Sequence, residues 1–424
     1  MVFHSLSAWL AWQETLHPLA IDLGLERVAS VFCALQPHYQ KPLTITVAGT
    51  NGKGSCIALL EAMYRAQGYK VGAYSSPNII KYNERIKIDG QPASDELICG
   101  AFERIEAVRH NTSLSYFEFG TLAALDLFAR ARVDIQLLEV GMGGRLDAVN
   151  IVDANVALIS SIGIDHVEWL GNTREAIAKE KAGVFRAHAP AVIGDARPPQ
   201  SLLDCAAEKQ ALLHCISKNF SYHKDKDSWT WRSENLHFEQ LPKPTLKGEH
   251  QYRNASAVIC AVTLLSEQLP ISEQAIRYGL SHTQLLGRFQ LIENQADVPV
   301  LLDVGHNPEA VKTLVDYLNN TFPNKRIHAV FAMMKDKDIS AVLKLMQPIV
   351  HHWFIAPLAN PRAANESLMR EIFTQNGMNN LSFGYTCFKQ AFDAAKNQAR
   401  RGDLLLVFGS FFLVSDCLVE FEKK

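Results

Sequence analysis

Short runs of β-branched and aliphatic residues alternate along this chain with stretches whose apolar positions recur every three or four residues. In residues 43–48, Ile45 and Val47 alternate with Thr44 and Thr46, a strand pattern, and residues 56–67 carry Leu59, Leu60 and Met63 at helical spacing. Residues 70–74, 134–140, 156–161 and 191–194 read as further strands, and 94–110, 121–131 and 173–185 as helices. Before them, residues 1–40 look helical, and Pro42 ends that prelude. Residues 229–241 alternate as a hairpin or edge strand would, and a helix rich in Ala, Val and Leu opens around 248–255.

After Gly287-Arg288-Phe289 and the polar stretch ENQADVP the alternation restarts. Strands are predicted at 299–304, 326–331, 353–356 and 404–408, with helices at 309–319 and 339–345. Alternating strands and helices imply a mainly parallel sheet with right-handed crossovers. The expectation is an α/β protein of two domains, 1–286 and a smaller 287–424, with a hinge near 285–298.

Composition narrows the class without changing the picture. The 424 residues are 48% hydrophobic and 20% charged with a formal charge of −2, ordinary for a globular protein and no footprint for nucleic acid. No apolar run approaches the length of a membrane span, and no signal-peptide pattern opens the chain. Eight cysteines without a CxxC pair fit a reduced set of thiols, hence a cytoplasmic protein.

The chemistry concentrates where predicted strands end. Gly49-Thr50-Asn51-Gly52-Lys53-Gly54-Ser55 follows the first strand and leads into a helix. Glycines there let the backbone approach an anion, the helix start offers N–H groups, and Lys53 adds a point charge for phosphates. The usual earlier glycine of such a loop is replaced by Val47, so this is a variant; a plain glycine-rich turn is the alternative. Ser76, after the second strand, could hold Mg²⁺ or phosphate, or simply begin a turn before Pro77. Glu139 closes an apolar strand, where a buried acid is costly unless metal-bound or paired, for instance by Arg145. His166 follows another strand in the same way. Ser115, Tyr116, Phe117 and Glu118 could bind a flat ring or form a core aromatic cluster. Lys179, Glu180 and Lys181 read most simply as a solvated helix face. Asp303 and His306 lie at the expected ligand crevice of the second sheet, and Ser410 follows its last strand.

Taken in order, GTNGKGS, SSPN, YNERI, LEVGMGGRLDA, IDH, EKAG, HQYRNA, GRF and DVGHNP resemble the folylpolyglutamate synthase family of the Mur ligase superfamily, most closely its bifunctional bacterial members. The resemblance implies a P-loop-type ATPase domain joined to a Rossmann-like C-terminal domain. It implies an ATP-dependent amide ligase that adds L-glutamate to 7,8-dihydropteroate and to reduced folates through an acyl phosphate. Thr50, Asn51, Gly52, Lys53, Gly54 and Ser55 would surround the phosphates. Asn254, Arg288 and Asp303 would contact nucleotide, with Arg288 facing charge on the γ-phosphate. Ser76, Glu139, His166 and a carbamylated Lys181 would hold one or two Mg²⁺, with a monovalent cation as a further cofactor. Ser115, Tyr116, Phe117, Glu118, Leu146, Asp147 and Ala148 would receive the pteroate, and His306 and Ser410 the incoming glutamate. The expected protein is a monomer with small-molecule partners only. A monofunctional folylpolyglutamate synthase, a muropeptide ligase and a nucleotide switch without ligase chemistry are the competing readings. The muropeptide reading is disfavoured because no extra domain for a UDP group precedes the loop at residue 49.

Overall fold

The computed structural model of the protein describes residues 3–19, 21–293 and 298–422. Of the predicted hinge at 285–298, residues 294–297 lie outside those described. Backbone proximity divides the chain into two compact units. The first comprises Met1–Gly163, Val167–Thr245 and Gln251–Gln284; the second comprises Ile164–His166, Leu246–His250 and Leu285–Lys424.

The first unit is built on strands β1 (Leu43–Ala48), β2 (Val71–Tyr74), β3 (Ile86–Ile88), β4 (Gln91–Pro92), β5 (Ile135–Glu139), β6 (Val156–Ile159), β7 (Pro190–Ile193) and β8 (Leu212–Cys215). They form one sheet in the order β4-β3-β2-β5-β1-β6-β7-β8, parallel from β2 to β8 and antiparallel at the β3 and β4 edge. Alternation along the strands explains its two cores. Ile45, Val47 and Leu137 face one side, and Ala48, Leu138 and Ile159 the other. Both faces are covered, as a parallel sheet requires. Helices α1 (Leu6–Leu16), α2 (Glu26–Leu35), α3 (Lys53–Gln67), α4 (Asp95–Arg109), α5 (Tyr116–Ala131), α6 (Val167–Leu170), α7 (Arg174–Lys181), α8 (Gln200–Glu208), α9 (His250–Leu264) and α10 (Glu273–His282) follow in chain order. The expected hairpin at 229–241 is part of a three-stranded antiparallel sheet, β9 (Phe220–Lys224), β10 (Trp229–Ser233) and β11 (His237–Leu241). Trp229 and Trp231 on β10 are fully buried and donate to Pro242 O and Ser256 O.

In the second unit β12 (Gln290–Ile292), β13 (Val300–Asp303), β14 (Ile327–Phe331), β15 (Val350–Ile355), β16 (Leu381–Ser382) and β17 (Leu404–Phe408) order as β12-β13-β17-β14-β15-β16. Only the β12–β13 pair is antiparallel among them. Helices α11 (Pro308–Thr321), α12 (Ile339–Met346), α13 (Glu366–Gln375), α14 (Phe388–Gln398) and α15 (Phe411–Glu422) complete it. No described helix is long and apolar enough to cross a membrane.

One boundary differs in a way that matters. The helix expected from residue 121 begins at Tyr116, because Ser115 and Glu118 form a reciprocal cap. The Ser115 hydroxyl accepts from Glu118 N at 3.4 Å, and the Glu118 carboxylate accepts from Ser115 N at 2.7 Å.

Candidate active site

The glycine loop is held from below by the continuation of β6. Thr50 N donates to Ser161 O at 2.8 Å, and Asn51 N to the Ser161 hydroxyl at 3.1 Å. Ser160 Oγ donates to Asn51 O at 2.6 Å, while the Thr50 hydroxyl donates to Gly163 O at 3.0 Å. Two glycines admit this geometry. Gly49 has φ +148°, and a Cβ there would lie 2.0 Å from Ser160 Oγ; Gly52 has φ +89°, and its Cβ would lie 2.8 Å from Asn254 Oδ1. Gly52 is also the N-cap of α3 and contributes no side-chain cap, so the first-turn N–H groups of α3 receive no cap from that residue. Lys53 begins the helix and folds back, its Nζ donating to Gly49 O at 3.0 Å and to Thr50 O at 3.4 Å. Ser55 is buried and accepts from Gln251 Nε2 at 3.2 Å; Gln251 Oε1 in turn accepts from Asn254 Nδ2 at 3.0 Å. Gln251, Ser160 and Ser161 were not singled out from the sequence. Their partners lie more than a hundred residues away, and no local pattern marks such contacts.

Lys181, expected on a solvated face by its charged neighbours, is buried, and its Nζ donates to Gly49 O at 3.0 Å. Arg145 pairs with Glu180 at 3.0 Å. The alternative in which Arg145 satisfies Glu139 therefore does not hold. Glu139 is buried at the end of β5, and its carboxylate accepts from Ser76 N at 3.2 Å. Ser76 and Glu139 thus stand together through the Ser76 backbone. Among the described residues no group of three or more His, Cys, Asp or Glu side chains is spaced to hold a metal. A buried carboxylate beside a glycine loop at a helix start nevertheless suits Mg²⁺, which takes one or two carboxylates and completes its shell with water and phosphate oxygens.

Phe117 packs its ring against Gly141 and lies 5.8 Å, centroid to centroid, from Tyr74. Glu118 also receives Arg27 at 3.1 Å, and the same Arg27 holds Asp22 at 2.6 Å. Asp22 and Arg27 were overlooked because nothing near them in sequence carries chemistry. Leu146, Asp147 and Ala148 continue the loop after Gly141, where Asp147 N donates to Gly144 O at 3.2 Å. Asp147 is buried, and burial pushes its carboxyl up to about 6 against hydrogen bonds from the N–H groups of Met142 and Val149.

In the second unit the loop after β13 is organised by Asp303. Its carboxylate accepts from Gly305 N at 2.8 Å and Phe289 N at 3.3 Å. Burial pushes it up to about 6, opposed by the Arg288 charge. The Arg288 guanidinium lies 5.0 Å from the Phe411 ring centroid. His306 Nδ1 meets Val304 O at 2.9 Å, and its Nε2 lies 3.5 Å from Asp165. Lys337 Nζ binds the same Asp165 at 2.6 Å. Burial opposes ionisation of Asp165, yet the hydrogen bond from His306 and the His166 and Lys337 charges hold it well below the usual carboxylate range. His166 follows with φ +52°, a left-handed backbone uncommon outside glycine. Ser410 is buried, its hydroxyl accepting from Phe412 N at 3.2 Å.

Family models for the Mur ligase middle domain and for the Mur ligase glutamate ligase domain match residues 47–262 and 287–411. The dihydrofolate synthase/folylpolyglutamate synthase of Escherichia coli (strain K12) is 41% identical over 420 residues, covering 99% of this chain and 96% of its own. The chain belongs to the dihydrofolate synthase/folylpolyglutamate synthase family. Among solved members of that family, Escherichia coli FolC in complex with DHPP and ADP superposes with a TM-score of 0.92 at 40% identity, covering 99% of this chain and 98% of its own. A bifunctional folylpolyglutamate synthase/dihydrofolate synthase with Mn, AMPPNP and L-glutamate bound gives 0.90 at 40% identity, with the same coverage. The α/β architecture and the family resemblance read from the sequence both hold.

Proposed function

We propose that this chain adds L-glutamate to 7,8-dihydropteroate, forming dihydrofolate, and adds further glutamates to reduced folates, consuming ATP. The observation that carries the reading is the uncapped α3 start, with Lys53 and Lys181 converging on Gly49, in a chain of this family. Joining a carboxylate to an amine in water is uphill. Transfer of the γ-phosphoryl group to the acceptor carboxylate breaks one P–O bond and forms another. The α-amine of L-glutamate then forms the C–N bond as phosphate leaves with the C–O electron pair.

Residues 1–286 form the ATP- and acceptor-binding part, and residues 287–424 the glutamate-ligase part. Gly52, Gly54 and Ser55 offer backbone N–H groups to the phosphates, and Thr50 and Asn51, whose own N–H groups donate to Ser161, shape the loop around them. Lys53 exchanges its carbonyl partners for phosphate oxygens, and Asn254 steadies the loop beneath. Ser76, Glu139, His166 and Lys181 are the residues that would hold Mg²⁺, and the ion would supply neutralisation of phosphate charge. Lys181 carries a carbamate, since an ammonium would repel the metal whereas a carbamate attracts it. A monovalent cation accompanies the divalent one. Arg288 and Asp303 contact nucleotide; His306 and Ser410 serve the incoming glutamate. Ser115, Tyr116, Phe117, Glu118, Leu146, Asp147 and Ala148 form the pteroate side, where Ser115 and Glu118 act chiefly by fixing the start of α5. The protein works as a cytoplasmic monomer.

The test is phosphate release from ATP with Mg²⁺ and L-glutamate, comparing dihydropteroate with tetrahydrofolate as acceptor. Release and glutamylated product with both acceptors is expected. Release with tetrahydrofolate alone would leave a monofunctional enzyme, and release with neither would overturn the reading.

A further inference from the structure

Arg85 sits where the two halves of the acceptor side meet. Its Nε donates to Asn78 Oδ1 at 2.7 Å, and Asn78 lies two residues beyond Ser76. Its backbone carbonyl accepts from Ser75 N at 2.9 Å. Its guanidinium carbon lies 5.4 Å from the ring centroids of both Tyr82 and Tyr116, which meet edge to face at 5.7 Å. One arginine therefore links the Ser76 loop, beside Glu139, to the first residue of α5. The Asn78 bond and the two rings restrict its rotation, so little entropy is lost when it takes a ligand.

Its charge is left without an acidic partner. Among the described residues, no carboxylate forms an ion pair with Arg85. The adjacent Glu84 is fully engaged elsewhere, accepting from Ile79 N at 2.7 Å, Ile80 N at 2.8 Å and Lys81 N at 2.6 Å. Asn83 is likewise occupied by Ala93 O and Asp95. The terminal nitrogens of Arg85 form a fork, shaped for a carboxylate, with no hydrogen-bond partner among the described residues.

We infer that Arg85 binds the non-reacting α-carboxylate of a glutamylated acceptor, and so separates chain extension from the first glutamate addition. This rests on the bifunctional reading above. Dihydropteroate has a single carboxylate, which is consumed in the reaction. A folyl acceptor presents two, one reacting and one to be held. The phosphates of ATP have their own cradle at Gly49 to Ser55, so they do not need this cation.

The experiment compares Arg85→Gln and Arg85→Lys with the wild type by steady-state phosphate release, with dihydropteroate and with tetrahydrofolate monoglutamate. Loss of a charge-assisted fork raises KM for tetrahydrofolate by about tenfold to a hundredfold in Arg85→Gln. KM and kcat with dihydropteroate stay within about twofold, which also shows that the variant folds, and Arg85→Lys recovers part of the loss. An acceptor whose α-carboxylate is amidated should no longer distinguish wild type from Arg85→Gln. Equal losses with both acceptors would overturn the inference by placing Arg85 on the reacting carboxylate. No change with either, or a raised KM for L-glutamate alone, would overturn it too. Wild-type protein that uses neither acceptor would instead remove the bifunctional reading itself.

Discussion

The loops after β1 and after β13 share one plan and differ in a single respect. Each leaves the end of a parallel strand and enters a helix. At α3 the N-cap is Gly52, in a left-handed conformation and without a side-chain cap. At α11 the N-cap is Asn307, whose Oδ1 accepts from Ala310 N at 2.9 Å, and Pro308 fills the first helical position. The first arrangement leaves donors for a ligand, whereas the second spends them on its own fold. On the proposed function, a strand end and a helix start are not enough to make a phosphate site, and the identity of the cap decides.

The sharpest way to break this contrast is Lys53→Ala. Phosphate release should fall by at least about a thousandfold, while the circular dichroism spectrum stays that of the wild type. Retained ligation would remove the loop from the mechanism. Next in size is Lys181→Ala, expected to be inactive and to regain activity when short carboxylic acids are supplied. Full activity without them would exclude a carbamate. Asn307→Ala should cost about 1 kcal/mol of stability in urea unfolding, since a cap and not a ligand site is lost. The corresponding change at Gly52 should act on nucleotide affinity instead.

The smallest effect concerns pH. Asp303 is raised to about 6 by burial, so its contribution favours the fold when protonated. That contribution is complete below the ordinary carboxylate pKa near 4 and is lost as pH rises through about 6. Melting temperature should therefore decline from pH 5 to pH 8 less steeply in Asp303→Asn than in the wild type.

Much of the fold and part of the candidate site is legible in the sequence. Glycine spacing, strand alternation and strand-end acids are local, and they locate the loop, Glu139 and most strands of the two larger sheets. The S-x-x-E cap of α5 is local too, but the aromatics between Ser115 and Glu118 read as a ring-binding stretch or a core cluster and mask it. The sequence pattern does not reveal α6, α8, α10 and α13 to α15, nor β3, β4, β8, β9, β12 and β16. Contacts across long separations were beyond reach. Lys181 looked solvated beside Lys179 and Glu180, yet it meets Gly49 132 residues away. Gln251 meets Ser55 across 196 residues. Burial of such a side chain depends on which strands become neighbours, and short-range pattern carries no record of that order.

The posture of Lys53 has a consequence for speed. Its ammonium already rests on two carbonyl oxygens of its own loop, so most of its rotamer freedom has been surrendered before nucleotide arrives. On the proposed function, capturing a phosphate would amount to trading one set of oxygens for another over a short path. The cation behaves as a latch already set beside its catch, and the toll of ordering a long flexible side chain falls on folding and not on each catalytic cycle.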